Sequence, residues 1–218
     1  MAYSQIGRQA RAFLQNAGMT PSRLGEEGKH QVVRPRLATS LGLALSLMIP
    51  PGAFSDAEAS LAGTMYEAPA LEHNLDPVLL YSVALAESAR GADSQLQPWP
   101  YTLRVLTEAG FYGQSREEAT QQLQRYLQKH GSVDIGIMQV NTRWHGHRVD
   151  DVTQLLDPSV GLRVGAEILR ESIDSAPGDL VLGVGRYHNW ADEERARNYG
   201  RRILAIYRNI RRVVRVAE

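Results

Sequence analysis

The chain has 218 residues, 43% of them apolar, with 24 Lys+Arg against 24 Asp+Glu. That is enough apolar material for a sizeable core, and the balanced charge gives no global field calling for nucleic acid or an anionic membrane. Cysteine is absent, which excludes disulfides, thiolate nucleophiles and Cys-based zinc sites.

Residues 1–36 form an atypical N-terminal extension. Behind Arg34 and Arg36 comes the apolar run "LATSLGLALSLMI", 37–49, then Pro50, Pro51 and the small residues of "GAFSDAEAS". The stretch 37–59 reads as a secretory signal or membrane-targeting segment, too short to span a bilayer comfortably; a buried core helix is the alternative. Cleavage after Ser55 or Ala59 fits the small residues at −3. The extension, with Glu26 and Glu27, is long and acidic for a signal's n-region. It points either to a start further along the chain or to a cytoplasmic tail on an uncleaved anchor.

From residue 60 the pattern is helical. "AGTMYEAPALEHNLDPVLLYSVALAESARG" reads as two helices, the second opening on Asp76 as N-cap with Pro77 at its first position and ending at Gly91. Within it Leu80, Val83, Ala84 and Glu87 recur at i, i+3, i+4 and i+7, so a carboxylate continues the apolar stripe. Such a group must find a cation, stay solvated in a cleft, or hold its proton. "YTLRVL" fits a short strand between breakers at Pro98, Pro100, Gly110 and Gly113. "SREEATQQLQRYLQKHG" begins with a capping box, Ser115 and Glu118, and carries Ala119, Leu123, Tyr126 and Leu127 on one face. "DIGIMQVN" is too apolar for an idle loop. Asp157 and Pro158 repeat the Asp-Pro helix start. Leu180, Val184 and Tyr187 align on a short helix, and a last helix from about Ala196 buries Tyr199, Ile203, Ile206, Tyr207 and Ile210. Its arginines read as a solvated face, or as a docking surface for an anionic polymer or partner protein. "GVGRYH" lacks the strand and acidic partner of a dinucleotide site, and His145 with His147 reads as a surface pair rather than a metal site. The fold class is mainly α.

Three islands stand out: "ALAESA" with Glu87 and Ser88, "GIMQVN" from Gly136 to Asn141, and "GRYHNW…RNYGRRILAIY" from Gly185 to Tyr207. In this order they resemble the SLT-type lytic transglycosylases, a lysozyme-like family that cuts bacterial peptidoglycan. The resemblance spans roughly residues 68–207. It implies a lysozyme-like helical domain over 60–218, periplasmic action, peptidoglycan glycan strands as substrate, and neither metal nor cofactor. The segment 92–133, a loop and short strand plus a helix, resembles the insertion of family members that serve conjugation and secretion systems or integrative elements. Channel proteins of such a system are then expected partners. The membrane is met only through the N-terminal segment, and nucleic acid is not expected.

By the same resemblance Glu87 is the catalytic acid. An exposed glutamate is protonated only about 0.2% of the time at neutral pH, so an acid here needs apolar neighbours such as Leu80, Val83 and Met138 to favour the neutral form. Ser88 would bind substrate or orient Glu87, or be a plain helix-end serine. Gly136 would let backbone approach the sugar, Met138 would line the cleft, and Gln139 and Asn141 would offer amides to it; a buried turn is the alternative. Tyr187 and Tyr199 would place phenols in the cleft or belong to the core. Asp134 is the second carboxylate in view, with turn or cap duty as its expected role and water activation in a muramidase as the alternative. The chain departs from the family pattern at Ala89 and Arg90, where "ESxF" has an aromatic, and at His188, where "YN" has asparagine.

Overall fold

The computed structural model describes residues 61–92 and 95–212. The extension 1–36 and the targeting segment 37–59 lie outside the described residues. The described chain is mainly helical, with seven α-helices and two small antiparallel sheets. Helices α1 (Glu67–Glu72) and α2 (Pro77–Ser88) lead into a hairpin of β1 (Ala89–Ala92) and β2 (Gln95–Pro98). Strands β3 (Thr102–Arg104) and β4 (Phe111–Tyr112), helix α3 (Arg116–Lys129), and strands β5 (Asp134–Ile135) and β6 (Val140–Asn141) follow. The short α4 (Thr142–His145), two 3₁₀ turns, α5 (Pro158–Asp174), α6 (Leu180–Arg186) and α7 (Glu193–Arg211) complete it.

Helix α2 is the centre of the core. Asp76 caps it by accepting from Val78 N–H at 2.8 Å, with Pro77 in the first turn. Every residue from Val78 to Ala86 is buried, so the apolar stripe expected from the sequence is in fact an apolar cylinder, enclosed on all faces. Helix α7 packs along α2 and against α6, while α5 backs α6. The approach of α6 and α7 depends on glycine: a Cβ on Gly185 would stand 2.0 Å from the Ala196 carbonyl, and one on Gly200 would stand 2.0 Å from the Val181 carbonyl. Any side chain at either position would drive the two helices apart.

Several boundaries differ from the sequence reading. Helix α7 starts at Glu193, three residues before Ala196, because Asp192 accepts from Arg195 N–H and caps it. Leu180 is exposed, the packed face of α6 being Leu182 to Gly185. In α3 Ser115 accepts from Glu118 N–H, but the Glu118 carboxylate reaches Gln114 N–H at 2.6 Å, one residue before the cap. Ala119, Leu123 and Tyr126 of α3 are buried and Leu127 is not.

The segment read as an insertion is built into the fold. Its strand β3 is an inner strand of the sheet ordered β4-β3-β5-β6, pairing Leu103 with Ile135 and Arg104 with Asp134. Thr102 carbonyl also accepts from Gly136 N–H at 2.8 Å. This strand thereby holds the "GIMQVN" turn in place.

Candidate active site

Glu87 stands in the last turn of α2, half-buried among neighbours that are fully buried. Its Oε1 accepts a short hydrogen bond from the Tyr199 hydroxyl, delivered by α7. The Tyr187 hydroxyl, at the end of α6, donates to the Met138 carbonyl at 2.7 Å. Residues 49 and 112 positions apart are thus tied together. Burial first, and then the Glu87 charge, hold both phenols well above the ordinary tyrosine range; Asp134 adds to this at Tyr187. Both remain protonated donors at neutral pH.

The "GIMQVN" residues meet the same place, but their side chains do other work than expected. Gly136 has φ +78°, and a Cβ there would lie 2.3 Å from the Leu155 carbonyl. Glycine is required by that approach rather than by a ligand's. Met138 is fully buried, and a Cβ on Gly165 of α5 would fall 2.7 Å from its Cβ, so its side chain packs inward and does not line a cleft. Gln139, at φ 48°, turns its amide into the core: Nε2 donates to Gly136 carbonyl at 2.9 Å and to Thr102 carbonyl at 3.1 Å. Those bonds offset the cost of about 1 kcal/mol for a left-handed non-glycine residue. Its Nε2 thus serves the turn, while Oε1 is buried without a partner among the described residues.

Ser88 is also fully buried, donating to the Ile137 carbonyl at 2.7 Å and accepting from Trp99 N–H at 3.3 Å. It fastens the end of α2 to the turn and to the hairpin, and reaches Glu87 only through that backbone. Where the family pattern has an aromatic, Arg90 instead lies over Trp99, its guanidinium carbon 4.6 Å from the ring centroid. Trp99 in turn donates to the Gly113 carbonyl at 2.7 Å. Trp99, just past the hairpin, thus packs the helix end. The exposed His188, in the place of the family's asparagine, stacks on Tyr199 with centroids 4.7 Å apart and planes 5° from parallel.

Asp134 is neither a turn nor a cap residue. It lies opposite Asn141 in the β5–β6 ladder, and Asn141 Nδ2 donates to its Oδ1 at 2.6 Å. Burial raises its pKa from the ordinary 3.8; the Asn141 bond opposes this, Glu87 adds to it, and Arg104 and His188 pull it back. It carries no salt bridge among the described residues. Asn141 is the N-cap of α4, its Oδ1 accepting from Arg143 N–H and Trp144 N–H. The signal for that cap was in the sequence, an asparagine just ahead of "TRWH". The contribution of Trp99 and the pairing of Asp134 with Asn141 had no signal, since each depends on strands meeting across the fold.

The His145 and His147 pair is only half a surface pair. His147 is exposed, whereas His145 is half-buried, and burial and then Arg148 lower its pKa. No family model matches this chain, and no curated protein or solved structure does either.

Proposed function

We propose that this protein is a peptidoglycan lytic transglycosylase with a lysozyme-like fold. It cleaves the β-1,4 bond between N-acetylmuramic acid and N-acetylglucosamine and forms a 1,6-anhydro product. The observation that supports this best is the meeting of three sequence islands on one carboxyl group: Tyr199 on Glu87, and Tyr187 and Ser88 on the turn beside it. With Oε1 occupied by the phenol, Oε2 is the oxygen left to act on the substrate. Glu87 gives that proton to the glycosidic oxygen as the bond to C1 breaks, and the acetamido oxygen of the substrate shares the charge at C1. Glu87, now a carboxylate, takes the proton of the C6 hydroxyl as O6 bonds to C1. An intramolecular nucleophile has an effective concentration of about 10⁵ M or more, so no residue need place a water.

This reading puts the chain in the periplasm, exported by its N-terminal segment or held by it as an anchor. There it opens the wall locally for a conjugation or secretion apparatus whose channel proteins are its partners. Purified protein incubated with peptidoglycan, followed by mass spectrometry, tests the chemistry: anhydro-muropeptides are expected, and Glu87→Gln should produce none. Asp134 favours a second reading, a muramidase in which that carboxylate activates water; reducing muropeptides would mark it. An untouched polymer, together with a Glu87→Gln strain that keeps its biological function, would instead indicate a noncatalytic glycan-binding assembly factor.

A further inference from the structure

The phenol on Glu87 is itself in contact with a group that can change its charge. Tyr199 gives its hydroxyl to Glu87 Oε1, and the ring behind that hydroxyl carries His188, stacked with centroids 4.7 Å apart and planes 5° from parallel. Two elements build the stack. Helix α7 fixes Tyr199, which is buried on its packed face. The turn leaving α6 fixes His188: its N–H donates to the Gly185 carbonyl at 3.0 Å, and the next residue, Asn189, donates to the same carbonyl at 3.2 Å. Asn189 Oδ1 then accepts from Ala191 and Asp192 N–H at 3.2 and 2.9 Å, and Asp192 caps α7. The imidazole is thus held between the end of one helix and the start of the next. Among the described residues no hydrogen bond or ion pair to the imidazole accompanies the stack. An exposed histidine without a carboxylate partner exchanges its proton freely with solvent.

We propose that His188 is a positioning residue that sets the pH range over which Glu87 acts, working through the Tyr199 ring. The inference rests on the transglycosylase reading, in which Glu87 must hold a proton to start cleavage, and deepens it. A histidine changes charge between about pH 5 and 8. As a neutral imidazole, His188 only packs on the phenol. As an imidazolium it lies over the ring face and sets a positive charge one ring away from Glu87, which favours the carboxylate over the acid. It also makes the Tyr199 hydroxyl a better donor, and that bond is stronger to a carboxylate. A proton taken up by the pair therefore has two places. On Glu87 it can be given to the glycosidic oxygen, and on His188 it cannot. The other charged or titratable groups facing the pair are Asp134 of β5, Arg104 of β3, Tyr187 at the end of α6 and Arg202 of α7. The Arg202 guanidinium carbon lies 5.2 Å from the Tyr199 ring centroid. The arginines keep their charge and both phenols their protons at neutral pH, which leaves His188 and Asp134 as the groups that change charge beside Glu87.

The test measures anhydro-muropeptide release by wild type, Glu87→Gln, His188→Phe and His188→Arg across the range of carboxylate and histidine titration, at low and high salt, with thermal melting to verify folding. His188→Phe keeps a flat ring on Tyr199 and removes the charge. The basic limb of its kcat profile should move up by about 0.5 to 1 pH unit, with kcat at the acid end within about twofold of wild type. His188→Arg keeps a planar group that stacks and is always charged. Its basic limb should move down, lowering kcat at neutral pH by about threefold. Because position 188 is exposed, the separation between the two variants should shrink as salt is raised. Superimposable profiles for wild type and both variants, alongside an inactive Glu87→Gln, would overturn this inference and leave the transglycosylase reading standing. A uniform loss of kcat in both variants with unmoved limbs would overturn it in the same way, leaving the stack a packing contact. Absence of anhydro products from wild type would overturn both.

Discussion

Two regions of this molecule hold carboxylates, in opposite ways. An open groove of about 750 Å³ is lined by Arg116, His147, Arg148, Arg163 and Glu167, among others. There Arg148 meets Glu167 at 2.7 Å and Glu171 at 2.6 Å, and Arg116 approaches Asp157. Around Glu87 no carboxylate meets a guanidinium at salt-bridge distance among the described residues; a phenol holds Glu87 and a side-chain amide holds Asp134. A carboxylate paired with an arginine is neutralised in place, whereas one held only by neutral donors is left without a countercharge. The difference teaches that the two regions commit their carboxylates differently: the groove pairs them with arginines, the Glu87 region with neutral donors.

The sharpest way to break that comparison is Glu87→Gln. It should cost at least about 10³-fold in glycan cleavage with little change in melting temperature, as read by muropeptide release and thermal unfolding. Next is Gly200→Ala. Its new Cβ would fall 2.0 Å from the Val181 carbonyl, and separating α6 from α7 should cost about 3 kcal/mol in urea unfolding and loosen Tyr199. Tyr199→Phe removes the hydroxyl that donates to Glu87, and kcat should fall about tenfold while the fold persists.

Asp134→Asn should act on stability in the other direction. Burial and Glu87 make Asp134 bind its proton more tightly in the folded state than in the unfolded one. Its contribution is fully present below the ordinary pKa of 3.8 and lost as pH rises through the raised folded value. The variant cannot ionise, so its melting temperature should exceed that of wild type at neutral pH, with the gap closing as pH falls toward 4. The smallest effect belongs to the groove. Glu167→Gln leaves Arg148 paired with Glu171, so stability should change by less than about 0.5 kcal/mol and cleavage not at all.

Some of this was legible before any coordinates. Asp76–Pro77 and Asp157–Pro158 mark helix starts because a capping carboxylate and a proline act within one turn. The buried stripe of α7 at Tyr199, Ile203, Ile206 and Ile210 follows from periodicity alone, whereas Tyr207, expected in it, is only half-buried and donates its hydroxyl to Asp76 at 2.7 Å. The stripe drawn through Glu87 was less informative, since α2 is enclosed on every side and its apolar pattern has no preferred face. At the site, Glu87 itself could be singled out as a charge among apolar residues. For Ser88, Met138 and Gln139 the sequence left both a ligand contact and a structural role open, and all three side chains are buried in the protein.

The sequence by itself determined the helical class, the capped ends and the odd carboxylate at Glu87, because each rests on residues within a few positions of one another. Tertiary structure decided that Tyr199 reaches Glu87 across 112 positions, that Arg90 and Trp99 pack where an aromatic was expected, and that Asn141 aims its amide at Asp134. The physical reason is that a hydrogen-bond partner is set by which backbones approach. Here those approaches depend on Gly185 and Gly200 between two helices, and on a strand pairing between Arg104 and Asp134.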